Sequence, residues 1–129
     1  MAGIKLDAAG QNKIKTLDEA LLLLQRIHGL VEMYAVAIKN GQATGSFVQN
    51  IRRQLPTLAA NLKGQFGMIS DQVTAVNLAA SRGASEAVRL RQLREGVALI
   101  KQAIEIAMTQ TKDKHKVVEK SAPASGGGA

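Results

Sequence analysis

Apolar residues recur at intervals of three and four along most of this 129-residue chain, and that spacing constrains the fold more than any other feature. Because a helix turns once in about 3.6 residues, the spacing places apolar side chains on one helical face. The sequence has no sustained alternating run rich in Val, Ile, Thr and aromatic residues, the pattern typical of a strand. It therefore predicts an all-α protein, an antiparallel bundle of about four helices.

Polar caps and glycines divide this pattern into four predicted helices. Thr16 and Glu19 have the spacing of a capping box, in which each side chain accepts a hydrogen bond from the other residue's backbone N–H. Gly41 can adopt the left-handed conformation that commonly follows a helix. The predicted helices span 17–40, 46–63, 68–82 and 85–110, and their expected caps are Thr16, Ser46, Ser70 with Asp71, and Ser85.

Two of these helices carry a narrow apolar seam that predicts core positions. Pro56 falls inside the first seam, and because proline removes a helical hydrogen bond we expect a kink or a restart near 54–56. Gly64 and Gly67 lower helix stability and predict a chain reversal at 64–67. The seams are Val48, Ile51, Leu55, Leu58 and Leu62 in the second helix, and Leu90, Leu93, Val97, Ile100, Ile104 and Met108 in the fourth.

The sequence predicts one domain with two polar tails. We expect a flexible segment over 1–15, a helical bundle over 16–111 and a disordered Lys-, Gly-, Ser- and Ala-rich tail over 112–129. The first residues lack the apolar core of a signal peptide, so the expected location is cytoplasmic. Charged residues interrupt the apolar stretch 17–38, and on that ground we expect no membrane span.

The residues that carry catalysis or bind metals are scarce. The sequence has no cysteine and two histidines, of which His28 lies four residues before Glu32 on one helical face. That pair is half of a metal site, and no Glu-x-x-His pair completes it. Neither a nucleophile elbow nor a phosphate-binding loop is found. We therefore expect no enzyme activity, no catalytic residue, no metal, no cofactor and no small-molecule substrate.

A net charge of +7 makes a nucleic acid or another polyanion the alternative partner. Residues 1–15 and 109–129 together carry +4 of this excess. We expect Arg91 with Glu95, and Lys101 with Glu105, to pair along the fourth helix. No acid follows Arg53 until Asp71, which makes Arg52 with Arg53 the stronger pair for phosphate contact. The candidate arginines are Arg52, Arg53, Arg82, Arg89, Arg91 and Arg94.

The first helix is apolar around most of its circumference. Such a helix is either the central helix of the domain or packs its own core on one flank and a partner on the other. We favour the second reading, with a partner interface at Leu22, Leu23, Leu30 and Val36. The function predicted first is a non-catalytic assembly or adaptor subunit that self-associates or binds a helical protein. The alternative is a small basic nucleic-acid-binding protein with little sequence specificity, including a subunit of a nucleoprotein complex.

Overall fold

The apolar spacing of the sequence produces four helices in the computed structural model, which describes residues 5–82 and 85–117. Consecutive helices pack against each other and α4 returns to α1, so each helix has two neighbours. Short connections reverse the chain between helices, and within the described residues the one β-type contact is an isolated bridge between Leu6 and Lys116. The predicted all-α bundle is confirmed. The helices are α1 (Ala8–Lys39), α2 (Gly45–Lys63), α3 (Gly67–Ser81) and α4 (Glu86–His115).

The predicted seams form the core. In α2 and α4 the inner seam positions are buried, and the outermost ones, Val48, Leu90 and Met108, are partly buried against the same core. A β-carbon at Gly96 would lie 2.5 Å from a methyl carbon of Val76, so the absence of a side chain lets α3 and α4 approach closely. The fully buried large side chains include Leu17, Leu24, Ile27, Val31 and Tyr34 of α1, Ile51, Leu55, Leu58 and Leu62 of α2, and Leu93, Ile100 and Ile104 of α4.

The helices differ in length, and this gives the bundle two unlike ends. At a rise of about 1.5 Å per residue, α1 and α4 are about 45–48 Å long, whereas α2 and α3 reach only about 22–28 Å. We call the end that holds the α1–α2 and α3–α4 connections the loop end. All four helices meet there. We call residues 5–15 with 112–117 the terminal end, where α1 and α4 extend past the α2–α3 turn.

The first and last helices are longer than predicted. The α1 helix begins at Ala8, capped by the Asp7 carboxylate, which accepts a 2.7 Å hydrogen bond from the Gly10 N–H. The predicted start at Thr16 is wrong, because the Thr16 hydroxyl donates to the Asn12 carbonyl inside the helix. Residues 8–15 and 112–115, placed above in flexible or disordered tails, are helical. Residues 1–4 and 118–129 of those tails lie outside the described part of the chain.

Two more of the predicted caps are wrong, and one is confirmed. Ser46 lies inside α2, which begins after Thr44, and Ser70 lies inside α3. The buried Ser70 hydroxyl instead donates a 2.8 Å hydrogen bond to the Ala59 carbonyl, which ties α3 to α2. Ser85 does cap α4, accepting from the Val88 N–H. Gly41 has the expected positive φ of 67°.

Proline 56 does not interrupt α2. The helix is continuous over Gly45–Lys63, so of the kink or restart expected near 54–56 the restart is wrong. Pro56 is exposed while Leu55 and Leu58 on either side are buried. Because the proline faces solvent, water can hydrate the carbonyl that loses its helical partner, and burial of the seam holds the helix together. The predicted reversal near Gly64 is confirmed, since α2 ends at Lys63 and α3 begins at Gly67.

Candidate interaction surfaces

A polar network joins the helices at the loop end. The Tyr34 hydroxyl of α1 donates a 2.6 Å hydrogen bond to one oxygen of Glu86, and the Thr44 hydroxyl donates a 2.7 Å bond to the other. These two hydrogen bonds lower the pKa of the Glu86 carboxyl below its ordinary value. Burial, followed by the bond to Glu86, raises the pKa of Tyr34. The Glu86 carboxylate therefore links α1, the start of α2 and the start of α4.

Arg89 belongs to the same network and is occupied inside the protein. Its guanidinium donates to the Ala80 carbonyl at 3.1 Å and to the Arg82 carbonyl at 3.2 Å, both at the end of α3. It also lies 3.4 Å from the Tyr34 hydroxyl and from Glu86. Arg89 thus satisfies carbonyls that a helix end leaves without partners. The guanidinium of Arg89, predicted above as a phosphate ligand, is therefore engaged in contacts within the bundle.

A second candidate arginine, Arg94, is also paired. It donates two hydrogen bonds, of 3.0 and 2.7 Å, to the two carboxylate oxygens of Glu32, linking α4 to α1. This bidentate contact lowers the pKa of Glu32. The expected pairs along α4 are wrong: Arg91 and Glu95 do not come within 4 Å, nor do Lys101 and Glu105. Besides Arg94, the exposed candidates are Arg52, Arg53, Arg82 and Arg91, which are distributed over α2, the end of α3 and α4.

A cavity of about 380 Å³ lies between α1 and α4. The His28 imidazole lies 3.7 Å from the Glu32 carboxylate, but both oxygens of that carboxylate already accept from Arg94. None of the lining residues is a serine, threonine or aspartate, so the cavity holds no hydroxyl nucleophile beside the histidine. Across 5–82 and 85–117 no three His, Asp or Glu side chains are grouped to hold a metal ion. The cavity is lined by Leu21, Leu24, Gln25, His28, Glu32, Arg94, Val97, Ala98 and Lys101.

The outer face of α1, which we define as Leu22, Gly29, Met33 and Val36, is apolar and uncovered. Leu22 is 61% exposed, Met33 54% and Val36 55%. A β-carbon at Gly29 would meet no atom within 4 Å, so no close contact inside the bundle requires glycine at this position. Of the four residues predicted for a partner interface, Leu22 and Val36 are therefore accessible. The other two, Leu23 and Leu30, are partly buried against the core.

A groove of about 390 Å³ continues this face where α1 meets α2. It brings Phe47, which is partly buried against the core, next to Met33 and Val36. Met33 is not among the residues predicted for a partner interface, although the spacing of Met33 from Leu22 and Val36 places all three on one strip. The groove is lined by Glu32, Met33, Val36, Gln42 and Phe47.

By length and composition alone, α1 could also span a membrane. The charges that interrupt it are too few to exclude that possibility on composition. A core helix of a soluble bundle passes the same test, and the face of α1 through Leu17, Leu24 and Val31 is buried against the other helices. Packing in the core of the bundle therefore accounts for part of the apolar character of α1.

The terminal end pairs the two tails of the described chain. The Asp7 N–H donates to the His115 carbonyl at 3.1 Å, and the Val117 N–H donates to the Lys5 carbonyl at 2.7 Å. The Asp7 carboxylate also lies 3.1 Å from Nδ1 of His115. Hydrogen bonding to Gly10, then the contact with His115, lowers the pKa of Asp7. Two segments separated by about the whole chain therefore form one structural unit.

Comparisons with protein-family models, with curated proteins and with solved structures find no match. Function is therefore inferred from the surfaces of the bundle. Two stand out chemically: the apolar outer face of α1 and the lysine-bearing terminal end.

Proposed function

We propose that this chain is a non-catalytic assembly subunit that self-associates through the outer face of α1. The observation that carries the proposal is the exposure of Leu22, Met33 and Val36 on one strip of a helix whose opposite face is core. Burying a side chain of this size contributes about 1.5–3 kcal/mol. A partner that covers the strip buries these side chains, and the complex gains a free energy that is not available to the monomer.

The spacing along the strip suits a second helix. Leu22 and Val36 lie seven residues on either side of Gly29, so the three positions follow the heptad interval. Glycine in a helix interior costs about 0.5–1 kcal/mol relative to alanine, and here nothing inside the bundle requires it. Its small size allows the backbone of a partner helix to approach closely.

The equal spacing of Leu22 and Val36 about Gly29 favours a second copy of this chain as the partner. An antiparallel pairing of two α1 helices about Gly29 sets Leu22 opposite Val36 of the partner subunit. It also brings Asp18 near Lys39 of the partner subunit, because these residues lie eleven and ten positions from Gly29. A two-fold interface repeats each contact, so both copies gain the apolar contact and the opposite charges.

The test compares two charge-introducing variants by sedimentation and light scattering. Leu22→Glu is expected to shift the protein toward the monomer, because it places a carboxylate in the apolar strip. Leu78→Glu is the matched control: it makes the same change at a leucine that is 54% exposed on α3. Circular dichroism should show unchanged helix content in both, since glutamate is a good helix former.

Two results would contradict this proposal. One is a wild-type protein that stays monomeric up to its solubility limit. The other is dissociation of the assembly by Leu78→Glu to the same extent as by Leu22→Glu, which would place the interface elsewhere.

A further inference from the structure

We infer that the terminal end is a binding site for the phosphate backbone of a nucleic-acid duplex. This inference goes beyond assembly through α1 and uses different residues. The site consists of six lysines that the fold gathers from the two tails: Lys5, Lys13, Lys15, Lys112, Lys114 and Lys116.

Positive charge is concentrated at the terminal end. Against these six lysines the terminal end holds only Asp7 and Asp113, so it carries +4 of the total +7. Each tail alone has half of that charge. None of the six ammonium groups lies within 4 Å of a carboxylate in the described part of the chain. Unpaired lysines brought together in this way raise the local potential and attract polyanions.

The lysines lie on backbone that the fold holds in place. The bridge between Leu6 and Lys116 joins the segments that carry them. A β-carbon at Gly10 would lie only 2.5 Å from that of His115, so α1 and α4 are in close contact here. Because this backbone is ordered before binding, the entropic cost of binding a polyanion is lower. Two separate flexible tails of the same composition would bind more weakly.

The composition of the terminal end favours a duplex among the polyanions. The terminal end has no Phe, Tyr or Trp, the side chains that usually stack on the bases of a single strand, and its one imidazole, His115, contacts Asp7. Its one large exposed apolar side chain is Val117, which is too little to enter a lipid surface. Lysines make point-charge contacts with phosphates that do not depend on base sequence. Of the candidate arginines, Arg89 and Arg94 are occupied by contacts within the bundle, and the four others are distributed over α2, the end of α3 and α4.

The test measures the salt dependence of binding to a labelled DNA duplex by fluorescence anisotropy. One variant replaces Lys13, Lys15, Lys112 and Lys114 with glutamine. A control replaces Arg52, Arg53, Arg82 and Arg91 with glutamine, which lowers the net charge equally. The log–log slope should decrease by about 0.9 for every lysine that contacts a phosphate, and the control should retain most of the wild-type slope.

A same-charge variant tests the pairing of the tails directly. Gly10→Val places a branched side chain against His115 and should separate the two segments while leaving every lysine in place. Hydrogen exchange at the start of α1 reports the separation, and circular dichroism reports the remaining bundle. We expect weaker duplex binding at unchanged net charge. Leu22→Glu should keep the wild-type salt slope, which separates this inference from the assembly proposal.

Several outcomes would overturn the inference. The wild-type chain could fail to bind a duplex at about 50 mM salt. Equal loss of binding in the lysine and arginine variants would show that net charge alone matters. Tighter binding to phosphatidylserine vesicles than to the duplex at the same salt would identify a membrane surface instead. Full duplex binding by Gly10→Val with separated tails would show that their pairing is irrelevant.

Discussion

The two ends of the bundle hold their helices together by different means. At the loop end, side chains from Tyr34, Thr44, Glu86 and Arg89 join parts of all four helices over a closed core. At the terminal end only α1 and α4 remain, and they are held by backbone pairing with the contact of Asp7 and His115. At the loop end Glu86 and Arg89 pair within the bundle, whereas none of the six lysines of the terminal end lies within 4 Å of a carboxylate in the described part of the chain.

The difference follows from helix length. Because α2 and α3 are short, they cover α1 and α4 along only part of their length. Fewer apolar neighbours give a lower free energy of local opening, so the terminal end should exchange its amide hydrogens faster than the loop end. The predictions below test this contrast, from the largest expected effect to the smallest.

The largest effect is expected from truncating the core where four helices meet. Leu93→Ala should lower the free energy of unfolding by about 2–5 kcal/mol, because Leu93 is buried and the cavity it leaves is enclosed. Met108→Ala, nearer the terminal end and only partly buried, should cost less. Urea denaturation measures both. An equal cost for the two substitutions would remove the energetic distinction between the ends.

The next effect concerns the loop-end network. Arg89→Ala should cost about 1.5–3 kcal/mol, since it leaves the α3 carbonyls and Glu86 without a charged donor. Arg91→Ala removes an exposed arginine two residues away and should change stability by no more than about 0.5 kcal/mol. Thermal and urea unfolding of the pair gives the comparison. If both arginines prove equally dispensable, the network does not stabilise the loop end.

The smallest effect is a pH dependence at the loop end. The pKa of Glu86 is lowered from an ordinary value of 4.5, so its contribution to stability is complete above that pH. It is lost as the pH falls through the lower pKa of the folded protein, because protonation weakens acceptance from Tyr34 and Thr44. Glu86→Gln should therefore show a shallower loss of stability below pH 4.5 than the wild type. Glu95→Gln, on the same helix, should follow the wild type.

Much of the fold could be predicted from local pattern. The seams of α2 and α4 were found because their spacing matches the helical repeat, and Gly41 because a positive φ suits glycine. The helix starts were less predictable. Thr16 has the residues of a capping box, yet α1 starts at Ala8, since Asp7 caps it and α4 offers a surface on which the added turns pack.

The candidate surfaces show where local pattern stops being informative. Leu22 and Leu23 are adjacent and chemically equal, but only Leu22 is exposed, because the position of α2 and α4 decides which flank of α1 is covered. Arg89 and Arg91 are equally basic, and only contact with the end of α3 makes Arg89 structural. These assignments depend on partners far away in the sequence.

The sequence by itself determined that the chain is helical, which residues form its core seams and that it is basic, since each of these is a property of periodicity or composition. Only the tertiary structure decided which apolar residues of α1 stay exposed, which arginines are occupied and that the two basic tails are paired at one end of the bundle. The physical reason is separation along the sequence. A helical repeat is visible within a few turns of one segment. The bridge from Leu6 to Lys116 and the contact of Arg94 with Glu32 instead join distant residues that only folding brings together.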